Sequence, residues 1–326
     1  MLRTIALTAA LTLATGSGLL AQTTWIMATG YTEGSFFTQN IRQFIEEVET
    51  KSNGALKIDL RPADSLIKLD AIKRAVQSGQ VPIGEIRMSA YGNEGAMYNL
   101  DNIPGVASNY DQAWKLMEAQ KPYWDEAFGR NGMAIITYVP WPGQGFYTNK
   151  ALTGVDDLKG LKLRIYSQQT RILGEKLGAE AIILPFAEVP QAFSTGMINA
   201  LWTSAQSGTE IQAWDYVKDF TYTGTLHQKN AIIVNQRALR ALDEATRQIV
   251  IDAGAAATAR GWEMSKVAEK EKEQVLADHG MTIARAPASI TEAIAEAGKG
   301  MVDEWLASAD APERAVYDAY IASIAQ

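Results

Sequence analysis

The chain has 326 residues, of which 47% are hydrophobic and 21% charged, the proportions of a globular protein long enough for about two domains. It has no cysteine and only two histidines, His227 and His279. That excludes disulfides, thiolate metal centres and a cysteine nucleophile, and argues against a multi-histidine metal site. The net charge of −7 argues against non-specific nucleic-acid binding and against a basic membrane-binding face.

Residues 1–21 combine Arg3, an apolar stretch over 5–14 and the small residue Ala21, the pattern of a secretory signal peptide. The apolar part is short for a membrane span, so the mature chain is expected to begin at Gln22 and to work in the periplasm. Residues 25–29 read as a strand. A helix follows from Ser35, with Phe37, Ile41, Phe44, Ile45 and Val48 at helical spacing, and Asn53-Gly54 ends it. The alternation at 56–60 predicts a half-buried strand, 69–78 a helix, and 81–86 another strand. This rhythm implies a parallel sheet with right-handed crossovers.

The rhythm returns in the middle of the chain. Strands are expected at 133–139, 146–148, 161–165, 181–184, 198–203 and 231–235, with helices at 167–177 and 189–194. Residues 242–279 contain no proline and only Gly254 and Gly261 as weak points. A single helix running along two lobes is favoured there over two helices broken near Gly261, because one glycine breaks a helix weakly. A short strand at 281–284 and helices at 290–306 and 313–324 complete the chain.

No phosphate-binding loop, nucleophile elbow, HExxH or CxxC motif occurs, and no carboxylate pair is marked as catalytic. No cofactor or metal is expected. What stands out is Arg164, set in a strand between Leu163 and Ile165. A guanidinium there needs a partner, and either an anionic ligand or a distant carboxylate can serve. Trp25, Tyr31, Tyr91, Trp141, Tyr166 and Trp202 fall near the ends of predicted strands, where ligands bind in parallel α/β sheets.

Several stretches carry a resemblance. They are Trp25 to Ser35, Ile72 to Val81 (IKRAVQSGQV), Asp157 to Arg164 (DLKGLKLR) and Ser194 to Asn199 (STGMIN). Together they resemble the DctP-type solute-binding proteins of TRAP transporters, over essentially the whole mature chain. The resemblance implies an α/β, two-lobed periplasmic binding protein fold with a cleft between the lobes and a long helix spanning both. It implies lobe I over 22–145 plus about 229–265, and lobe II over 146–228 plus about 266–326. Arg164 matches the family's carboxylate-clamping arginine. The expected partners are a small organic acid and the permease subunits; a homodimer through C-terminal helices stays open, with Trp305 and Leu306 serving it or the core.

The sequence departs from the family pattern in places. Asn199-Ala200 stands where Asp-Gly is common, and Thr203, beside Trp202, stands where an asparagine is frequent. Gln144 stands where a second arginine is often found. One cation suggests one carboxylate, so a monocarboxylate is expected, either aromatic or a 2-oxo or 2-hydroxy acid. Glu85 is expected to meet a ligand hydroxyl or to orient Arg164. A sensor lobe and an exported organic-acid enzyme are the competing readings.

Overall fold

A computed structural model describes residues 22–325; the expected signal peptide lies outside the described residues. The strands are β1 (Thr23–Ala28), β2 (Leu56–Arg61), β3 (Ile83–Arg87), β4 (Met133–Pro140), β5 (Gln144–Thr148), β6 (Lys162–Ile165), β7 (Glu180–Ile183), β8 (Ala200–Ser204), β9 (Asp219–Tyr222), β10 (Lys229–Asn235) and β11 (Thr282–Arg285). They form two sheets, in the orders β2-β1-β3-β10-β4 and β11-β9-β5-β8-β6-β7. The fold is the expected two-lobed α/β architecture.

Each sheet departs from a purely parallel arrangement where the chain changes sheets. It leaves the first sheet through β4 and enters the second through β5, then returns from β9 into β10. β10 therefore runs antiparallel to both β3 and β4, and β5 antiparallel to both β8 and β9. The two crossings are bonded to each other. Trp141 N donates to Gln228 O at 2.7 Å, and His227 Nδ1 lies 3.1 Å from Trp141 O.

Glu244–Asp278 is one continuous helix, capped by Asp243, whose side chain accepts from Thr246 N. Its glycines are contact points rather than breaks. A Cβ on Gly254 would lie 2.5 Å from Ile136 O, and one on Gly261 would lie 2.6 Å from a Val139 methyl. The helix thus lies close against β4, and farther along it packs on helix Ala205–Glu210 and β11 of the second sheet. Glu269 from this helix accepts from Gly143 N, 2.7 Å away at the first crossing.

The reading of the sequence missed helix Tyr110–Arg130, which has Pro122 in its interior and starts at Asn109, whose side chain accepts from Gln112 N. It also missed β9. Helix Ala311–Ile324, assigned to lobe II from sequence, packs along helix Tyr110–Arg130 of the first half. There the Glu313 carboxylate accepts from Met97 N and Tyr123 OH. Trp305 is buried and donates to Ala96 O at 2.7 Å, so its indole serves this internal packing.

Candidate ligand-binding site

Where the two crossings run side by side, a narrow pocket lies between the sheets. Five of the residues named from sequence line it: Tyr31, Trp141, Arg164, Tyr166 and Thr203. Five others line it that the sequence reading did not name: Leu69, Arg87, Phe186, Ser207 and Gln228. Leu69, Arg87 and Phe186 also face a wider cleft between the lobes, which gives the cavity its entrance.

Arg164 projects from β6 and is 2% exposed. Its Nε and Nη2 both donate to Leu184 O, at 3.1 and 2.8 Å. A guanidinium has five N–H groups in a planar fork. The carbonyl takes two of them, which leaves both hydrogens of Nη1 and one of Nη2 on the far edge. No carboxylate pairs with Arg164 among the described residues. Burial, helped by the nearby positive Arg87, lowers its pKa to about 9. The edge left over is a bidentate carboxylate donor held in place by the backbone.

Arg87 supplies a second cation at the end of β3. Its Nη2 approaches Asp70 Oδ1 at 3.4 Å, and its Nε is buried without a hydrogen-bond partner. Both guanidinium groups flank the same phenol: their Cζ atoms lie 5.8 Å (Arg87) and 5.9 Å (Arg164) from the Tyr166 ring centroid. The expectation of a single cation, with Gln144 in place of the other, is therefore corrected. The second arginine comes from a different strand. Gln144 is buried behind the cavity; it accepts from Tyr166 OH at 3.3 Å and donates to Pro142 O at 2.8 Å, so it holds Tyr166.

The opposite wall is aromatic. Tyr31 packs edge-on against Trp141 with ring centroids 5.3 Å apart, and Phe37 backs both rings. A buried polar chain sets this wall. Glu85 accepts from Thr29 Oγ1 and from Asn230 Nδ2 at 3.0 Å, and Asn230 Oδ1 accepts from Trp141 Nε1 at 2.8 Å. Tyr31 N donates to Thr29 Oγ1 at 3.3 Å. Glu85 does not line the cavity and does not touch Arg164, because both its oxygens are taken by these two donors; it positions Trp141 and Tyr31 instead. Burial raises its carboxyl to about 7, against the two hydrogen bonds that favour the charged form.

Four further sequence candidates lie elsewhere. Side chains alternate along a strand, so with Thr203 facing the cavity Trp202 faces away. It stacks on Phe146 in the core and donates to Thr223 Oγ1. Trp25 packs with Ile41, Phe44 and Ile58 beneath the first sheet. Tyr91 is buried beside Tyr98, with Lys73 Nζ 4.7 Å from its ring centroid. Asn199 is exposed, accepts from Lys162 N, and lines a separate depression.

Comparison with known proteins gives the family of the chain. Residues 27–308 match the DctP family model, described as bacterial extracellular solute-binding protein, family 7. The structure is similar to DctP6, a Bordetella pertussis extracytoplasmic solute receptor binding pyroglutamic acid, at 39% identity and a TM-score of 0.89, covering 91% of this chain and 99% of that one. It is also similar to a marine metagenome TRAP solute-binding protein specific for pyroglutamate, at 30% identity and a TM-score of 0.87, covering 92% and 98%. A solute-binding protein of Albidiferax ferrireducens is 29% identical over 194 residues, 58% of this chain, and the match spans only 56% of that protein's length. With the fold, the buried arginine between the lobes and a family match over most of its length, the chain belongs to the DctP-type solute-binding proteins of TRAP transporters.

Proposed function

We propose that the protein is a periplasmic receptor that captures pyroglutamate and delivers it to the membrane permease of a TRAP transporter. The observation that carries this reading is Arg164: a buried guanidinium that lines the pocket and has no carboxylate at ion-pair distance among the described residues. The ligand's carboxylate supplies the missing charge. Its five-membered ring lies between the Tyr31–Trp141 wall and Phe186. The choice of acid is supported by three structural relatives of 30% identity or more that are described as binding pyroglutamate or pyroglutamic acid.

The charge count supports one carboxylate rather than two. Arg87 already has Asp70 near it, so the two guanidinium groups and one aspartate leave a single positive charge for the ligand. Glutamate, the open form of pyroglutamate, brings an ammonium group as well, and none of the residues lining the cavity is a carboxylate to receive it. Isothermal calorimetry of the purified protein tests the reading. L-Pyroglutamate is expected to bind with a Kd of about 1 μM or tighter, and glutamate and succinate at least about 100-fold more weakly. Tighter binding of succinate or malate than of pyroglutamate would overturn it.

A further inference from the structure

Arginine recognises a carboxylate but says nothing about the ring that carries it. The ring's amide must be met by some other group, or be desolvated without a partner. Among the residues lining the cavity, Arg87 and Arg164 only donate, and Tyr31, Thr203 and Ser207 offer single hydroxyl oxygens. Gln228 is different. Its carboxamide carries a donor and an acceptor side by side on one rigid plane.

Gln228 is 3% exposed, and its Oε1 is buried without a hydrogen-bond partner. Of the four buried amide oxygens without a partner among the described residues, only the one on Gln228 belongs to a residue lining the cavity, and an unmet acceptor forfeits its hydration. The residue is also held firmly. Its backbone carbonyl accepts from Trp141 N at the other crossing, and the next residue, Lys229, is paired with Asp101 at 2.9 Å.

An open-chain secondary amide is trans, with its N–H and C=O on opposite sides. A five-membered lactam is forced to be cis, so its N–H and C=O share one edge. That edge is the complement of a carboxamide: two antiparallel N–H···O hydrogen bonds join them. Exchanging the oxygen and nitrogen of the glutamine leaves the complementarity intact. We infer that Gln228 is the specificity-determining residue for the ring, pairing edge to edge with the lactam while Arg164 holds the carboxylate. This inference rests on the reading of the ligand as pyroglutamate.

The test compares L-pyroglutamate with 5-oxotetrahydrofuran-2-carboxylate, the same ring with oxygen in place of N–H. Both are titrated by calorimetry into the wild-type protein and into Gln228→Met. The wild type is expected to bind the lactone about 10- to 100-fold more weakly, because the glutamine oxygen then lacks its donor. In Gln228→Met the preference is expected to fall below about threefold, chiefly through weaker binding of pyroglutamate. Equal binding of the two acids by the wild type overturns the inference without recourse to any variant, so a poorly folded variant cannot shield it. An undiminished preference in a folded Gln228→Met overturns it while leaving pyroglutamate as the ligand. Binding of neither acid by a wild type that takes up another carboxylate overturns the ligand reading, and the role of Gln228 with it.

Discussion

Lys229 and Arg164 are buried to the same degree, 1% and 2% exposed, in two neighbouring regions of the molecule. At the start of β10, Lys229 Nζ faces the equally buried Asp101 carboxylate at 2.9 Å, and the region is neutral within itself. At β6, Arg164 faces only a backbone carbonyl. An unpaired buried charge costs several kcal/mol; Lys229 has a carboxylate at ion-pair distance, and Arg164 has none among the described residues. On the proposed reading, the contrast separates charge that holds the fold from charge kept for a ligand. Glu85 stands between them, since its donors Thr29 and Asn230 are hydrogen-bonded but neutral.

The contrast is tested hardest at Lys229. Lys229→Met strands Asp101 in the interior, and a loss of about 3–5 kcal/mol is expected in urea unfolding. The protein that remains folded should keep its ligand affinity within about threefold. A loss below about 1 kcal/mol would remove the distinction between the two regions. Arg164→Ala is the mirror experiment. Binding of any carboxylate should weaken by about a hundred- to a thousandfold, roughly 3–4 kcal/mol, while the ligand-free protein should be as stable as the wild type or more so, because the substitution removes an uncompensated buried charge. A large fall in the stability of the ligand-free protein would make Arg164 structural after all.

The smallest effect belongs to Glu85. Burial raises its carboxyl from the usual 4.5 to about 7, so across that interval the native state holds a proton that the unfolded chain has released. The stability tied to that proton is complete below about pH 4.5, is lost as pH rises toward 7, and stays lost above it. Glu85→Gln has no such proton. The stability of the wild type relative to the variant should therefore fall by about 2–3 kcal/mol between those pH values. Parallel stability curves would mean that Thr29 and Asn230 hold the charged carboxylate without penalty.

Much of the fold was legible because its periodicities are strong. The β-α-β rhythm and the long helix both appear in the sequence. Helix Tyr110–Arg130 did not, because Pro122 sits inside it. Within the site, Arg164 could be found by asking why a charge interrupts an apolar strand. The same question put to Arg87, which follows Ile86 in β3, would have raised the second cation as well. Trp202 was misread for a simpler reason: two adjacent strand residues cannot both face one cavity, and Thr203 does. Phe186 comes from a 3-10 helix, Ser207 from an α-helix and Gln228 from a loop, and only the apposition of the two sheets brings them together.

The two bonded crossings and the helix Glu244–Asp278 have one more consequence, in the language of degrees of freedom. Two bodies joined by a single flexible tether can twist, slide and bend independently, and a ligand that locks them together must freeze all of those motions. Here two crossing strands are bonded to each other through Trp141 and Gln228, and the long helix packs on both sheets and bonds to Gly143 at the first crossing. Such connections leave the halves little relative freedom beyond one opening angle. A ligand that bridges the halves then has little relative motion left to freeze, and gives up little entropy on the protein's behalf.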